Sequence, residues 1–131
     1  MELIALLGIG ALTFFAAAAQ HLYTVHSKGV RFVMTDRSLP LADDGFAGRS
    51  ARALRNTVES AAMYVPAVAV VIMAAGQSFL TAVGAGVYLS ARVGFLLAYW
   101  AGINRLRSAF WAAGMIAIIV TYLAAFYSLS A

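Results

Sequence analysis

Residues 108–129 read SAFWAAGMIAIIVTYLAAFYSL and contain no charged side chain. A helix needs about 20 apolar residues to cross a hydrocarbon core, and this run is long enough. Three more segments of the same kind precede it. The spans are expected at 3–25, 46–75, 79–102 and 108–129, all within one domain covering 1–131. Between them lie a polar segment, 27–48, an uncharged turn at Gly76-Gln77-Ser78, and the connection Asn104-Arg105-Leu106-Arg107. Asp43-Asp44-Gly45 is turn chemistry, and the Asp pair suits the positive end of the second helix. Pro66 inside that helix predicts a kink that neighbouring groups in a membrane tolerate. The fold class is therefore all-α, an integral membrane four-helix bundle.

Composition agrees. The chain is 63% hydrophobic and 11% charged, whereas soluble domains run at about 45–50% and about 25%. A domain of this size has too much surface to hide that excess from water. The first span starts with Glu2 rather than a positive cluster and is too long for a signal-peptide core, so it is expected to be permanent. Cysteine is absent. Any thiol chemistry must come from a bound small molecule.

All nine Lys and Arg residues lie between the first two spans, at the start of the second, or from the second half of the third to the start of the fourth. The positive-inside rule then puts both charged connections in the cytoplasm and both termini on the other side. A bacterial inner membrane is the expected location. His21 and His26 lack a third ligand at metal spacing, so no metal site is expected. No phosphate loop, catalytic triad or nucleic-acid motif is present.

Chemistry concentrates in Arg49-Ser-Ala-Arg52-Ala-Leu-Arg55-Asn56-Thr-Val-Glu59. Arg52, Arg55, Asn56 and Glu59 are spaced i, i+3, i+4 and i+7, which places them on one helix face. The stripe descends from the charged end into the bilayer, and Arg49 at its start reads as a terminal residue reaching for lipid phosphates. Glu59 lies roughly 15 Å along the axis from Arg49. A carboxylate at that depth is costly unless paired, so Arg52 or Arg55 is its expected partner. Arg92, inside the third span, needs Glu59 or a cavity. Tyr99 follows Arg92 two turns later. Gly94, Ala98 and Gly102 form a small-residue ridge suited to close helix contact.

The R-x-x-R-N-x-x-E pattern of residues 52–59, with Ala91-Arg92, Tyr99-Trp100, Gly102-Ile103, Leu106-Arg107-Ser108 and Trp111, resembles the MAPEG family. These are membrane-associated proteins in eicosanoid and glutathione metabolism. The resemblance implies a homotrimer that holds glutathione between neighbouring subunits at the cytoplasmic face. It implies that Arg52, Arg55, Asn56, Glu59 and Tyr99 grip glutathione, with Arg92 supporting the site. It places Arg107 and Ser108 at the sulfur as catalytic residues. Phe95 stands where some relatives carry His or Tyr, and Arg31, Asp36 and Arg37 are candidates from the first connection. The expected function is a glutathione-dependent transferase or peroxidase acting on a hydrophobic small molecule from the bilayer. Two alternatives stay open. One is a small transporter with Glu59 as its coupling residue. The other is a non-catalytic membrane protein whose arginines bind anionic lipid.

Overall fold

The structure is a computed structural model, and it describes residues 1–35 and 44–130. The described residues form five helices: α1 (Glu2–Lys28), α2 (Val30–Val33), α3 (Gly45–Met73), α4 (Phe79–Ala101) and α5 (Asn104–Ser130). No strand occurs among the described residues. The four long helices are each long and apolar enough to cross a membrane. The protein is an integral membrane four-helix bundle.

α4 packs most extensively on α5, and α1 on α3; α3 also meets α5, and α1 meets α4. α3 and α4 touch as well, whereas α1 and α5 share no packed face among the described residues. The bundle is thus a ring in the order α1, α3, α5, α4, with α3 and α4 in contact across the short diagonal.

Small residues make this closeness possible. Ala5, Ala53, Ala85 and Ala117 are buried in the core. A Cβ on Gly94 would lie 2.6 Å from the Phe110 ring of α5, and one on Gly8 would lie 2.7 Å from Leu89 of α4. Such contacts replace the hydrophobic driving force that lipid removes. Many of the large apolar side chains point outward instead. Leu7, Phe14, Phe79, Ile116, Leu123 and Phe126 are all exposed, which is the outer surface expected of a bundle solvated by acyl chains.

The helix ends explain where the turns fall. Ser78 and Thr81 form a reciprocal capping box at the start of α4, satisfying donors that a helix start leaves open. Gly102 ends α4 in the left-handed region at φ 76°. Its N–H donates to Tyr99 O and that of Ile103 to Ala98 O, a Schellman ending. Gly102 therefore acts as a helix stop rather than as a member of the expected small-residue ridge.

Several boundaries differ from the sequence expectation. α1 continues to Lys28, and a single turn, α2, occupies part of the segment read as a connection. α5 begins at Asn104, so Arg105 and Arg107 belong to its first turn rather than to a loop. The helical ladder of α5 opens with Arg107 N–H donating to Ile103 O, so the residues between them already lie in its first turn. α3 is one helix through Pro66, whose ring is on the exposed side. Asp44 takes the N-cap position of α3, but its carboxylate makes no capping hydrogen bond. Asp43 lies outside the described residues.

Candidate functional site

The charged end of the bundle is where α1 and α4 finish and α3 and α5 begin. A cleft of 260 Å³ opens there, lined by Gly45, Arg49, Arg52, Tyr99, Gly102, Asn104 and Arg107. It holds three arginines and no carboxylate. The Arg107 guanidinium lies over the Tyr99 ring at 4.9 Å from its centroid, a cation–π arrangement that orients both. Phe95 meets the Tyr99 ring edge-on at 5.3 Å, fixing the ring from below. Guanidinium forks match carboxylates in a bidentate geometry, so the lining favours an anionic ligand.

Arg52 is half-buried and belongs to this cleft. The other members of its stripe diverge. Asn56 turns toward the bundle interior, where its Oδ1 and backbone carbonyl accept hydrogen bonds from Arg92 Nη2 at 3.0 and 3.3 Å. Arg55 and Glu59 are exposed on the outer face of α3. Neither makes an ion pair among the described residues.

This corrects two expectations. Glu59 is not enclosed in a single subunit, and Arg92 pairs with Asn56 rather than with Glu59. The cause is helix geometry. At 3.6 residues per turn, steps of four keep residues 52, 56 and 60 together, and likewise 55 and 59, while a step of three rotates one set from the other by about 60°. The stripe is wide enough to straddle the border between the packed face and the outer one. Arg52, Asn56 and Ser60 fall on the inner side; Arg55 and Glu59 fall on the outer.

Arg92 is 1% exposed. Besides Asn56, its guanidinium lies 4.3 Å from the Phe95 ring centroid, and a Cβ on Gly114 of α5 would stand 3.5 Å from its Cδ. One turn toward the other membrane face, Ser60 Oγ and Tyr88 Oη share a buried hydrogen bond of 3.0 Å. Tyr88 in turn stacks on Tyr64, with ring centroids 3.7 Å apart. Polar and aromatic pairs thus run down the α3–α4 diagonal at four-residue spacing. This ladder could have been found by lining up Asn56, Ser60 and Tyr64 against Arg92 and Tyr88 in antiparallel register.

Ser108 is exposed, and its hydroxyl donates to Asn104 O at 3.1 Å on its own helix. It does not line the cleft. Asn104 does line it, and so does Arg49, which the sequence reading assigned to lipid phosphate. Arg49 is three residues before Arg52 and shares its face, a signal present in the spacing. Asp36 and Arg37 lie outside the described residues. Arg31 is exposed on α2.

An all-helical membrane bundle with an arginine-lined cleft at one end defines a narrow class of protein. The chain belongs to the MAPEG family, whose sequence model matches residues 3–127. That family comprises membrane proteins of eicosanoid and glutathione metabolism. No curated protein and no solved structure gives a significant match.

Proposed function

We propose that this protein is a glutathione-dependent transferase or peroxidase that acts on lipophilic electrophiles at the cytoplasmic face of its membrane. The observation that carries the reading is the cleft in which Arg52, Tyr99 and Arg107 converge. Glutathione brings two carboxylates, one ammonium and one thiol. Arg52 and Arg55 bind carboxylate; the Asn56 amide NH2 remains to donate once Arg92 has taken its oxygen. Glu59 pairs with the ammonium. Arg92 supports the site through Asn56 and does not touch the ligand.

The cleft is incomplete in one subunit. Its 260 Å³ is below the range of about 300–1,000 Å³ usual for small-molecule sites. Arg55 and Glu59 face outward, where acyl chains would solvate them badly. A neighbouring copy in a homotrimer covers them and supplies the second wall. Both termini are then on the non-cytoplasmic side, because the arginines are at the opposite end of the bundle.

A cation beside the thiol raises its thiolate fraction, and Arg107 is the cation held in place by Tyr99. In conjugation the thiol proton leaves to solvent. The thiolate then forms a C–S bond at the electrophilic carbon, and the leaving group departs with its electron pair. In peroxide reduction two glutathione molecules are oxidised to the disulfide while the hydroperoxide becomes an alcohol and water. Ser108 is a catalytic candidate only if its hydroxyl leaves Asn104 O when ligand binds. Titration of the purified protein in nanodiscs with millimolar glutathione tests the reading, with turnover followed on an activated aryl halide and an organic hydroperoxide. Saturable binding and either product support it; no binding at that concentration overturns it.

A further inference from the structure

Arg49 looks in the sequence like an arginine anchored to lipid phosphate, but its surroundings are different. It is half-buried, and its Nε donates to Trp100 O at 3.2 Å. Its Cδ, Nε and Cζ pass over Gly102, 3.8–3.9 Å from where a Cβ would be. Both terminal NH2 groups have no partner among the described residues, and the residue lines the cleft.

The carbonyl it binds matters. α4 ends at this cleft, and a helix C-terminus carries unsatisfied carbonyls and partial negative charge. The Schellman bonds occupy Ala98 O and Tyr99 O. Trp100 O takes no part in them and accepts instead from Arg49, a residue of the cleft. Arg49 cancels that partial charge with one N–H and adds a positive charge with the rest. Only an arginine can do both, because Nε and the NH2 groups lie on different edges of one plane.

We infer that Arg49 is a specificity-determining residue of the cleft: it caps α4 through Nε and presents its free NH2 groups to a second carboxylate of the bound ligand. The inference rests on the glutathione reading and adds to it. It selects a ligand with two separated carboxylates over one with a single carboxylate. Gly102 is required beside it, since its φ of 76° lets α4 stop short and the missing Cβ leaves the guanidinium its path.

The test uses full-length protein in nanodiscs and compares wild type, R49K and R49Q. Loss of one charged contact weakens binding by about tenfold. R49Q is expected to raise KM for glutathione about tenfold with kcat within about twofold, whereas R49K, which keeps the charge but loses the fork, raises it only about threefold. A purely structural cap predicts something else: equal effects of both variants. That result, or an unchanged KM in R49Q, overturns the inference and leaves glutathione binding standing. Wild type that binds no glutathione overturns the reading itself and the inference with it. Should R49Q not fold, wild type alone decides. An arginine-selective dicarbonyl reagent labels Arg49 in the empty protein, and glutathione protects it together with Arg107 while Arg31 and Arg105 stay labelled. Unprotected Arg49 overturns the inference.

Discussion

Arg92 on α4 and Asn56 on α3 are joined across the short diagonal of the bundle, Nη2 to Oδ1 at 3.0 Å and Nη2 to the Asn56 carbonyl at 3.3 Å. The contact couples the membrane interior to the helix that carries the candidate ligand residues. With Asn56 turned inward, Arg55 and Glu59 fall on the outer face, because a step of three along α3 rotates a side chain by about 60°.

Asn56→Leu strands a buried guanidinium, and removing one partner of a buried charge costs about 3–5 kcal/mol. Arg92→Met leaves only a neutral amide unsatisfied, at about 1–3 kcal/mol. The double variant should be less destabilised than the sum of the two. Thermal unfolding in a mild detergent, run as a double-mutant cycle, measures the coupling. Strict additivity would show that the pair is not a unit.

Ser60 and Tyr88 make the next rung, with Oγ and Oη 3.0 Å apart and both side chains buried. Tyr88→Phe orphans the serine hydroxyl and should cost about 1–2 kcal/mol. Ser60→Ala together with Tyr88→Phe removes both polar groups and should recover part of that loss. The same melts read it out, and a double variant worse than Tyr88→Phe alone would contradict the assignment.

Gly94 should not tolerate enlargement. A Cβ there would stand 2.6 Å from the Phe110 ring, so Gly94→Val should force α4 and α5 apart and cost about 1–3 kcal/mol. Phe110→Leu in the same chain should restore part of the stability, because the ring is the obstruction. Absence of any rescue would place the strain elsewhere.

The two ends of the proposed ligand should respond separately to mutation. Arg107→Ala should lower kcat by about 10²-fold, the scale of losing a group that stabilises developing charge, with KM for glutathione changed little. Arg55→Ala should raise KM about tenfold and spare kcat. Steady-state kinetics on both variants checks this, and parallel losses in both constants would contradict the division of roles.

Much of this architecture was legible in the amino-acid order. The uncharged run at 108–129 and its three counterparts announce four membrane helices, because length and hydropathy alone decide that question. The arginine distribution also marks one end of the bundle. Helix ends were harder to read. Asn104 and Arg105 resemble a loop in composition, yet the Schellman stop at Gly102 lets α5 start at once. Side-chain partners were harder still. The i, i+3, i+4, i+7 spacing gave one polar face, but which neighbour each residue meets depends on how α3 is rotated against α4. That rotation is set by the close packing of alanines and glycines such as Ala53, Ala91 and Gly114. Arg92 therefore found an amide rather than the carboxylate, and Arg49, dismissed by its terminal position, entered the cleft through a carbonyl that no side-chain pattern encodes.

A structure of the protein in a lipid nanodisc with millimolar glutathione puts the whole proposal to one test. The prediction is a threefold particle with tripeptide density in each arginine-lined cleft, its carboxylates within hydrogen-bond reach of Arg52 and Arg49, its thiol near Arg107, and Glu59 paired with its ammonium. Separate bundles whose clefts hold no tripeptide, with Glu59 facing acyl chains, would contradict it.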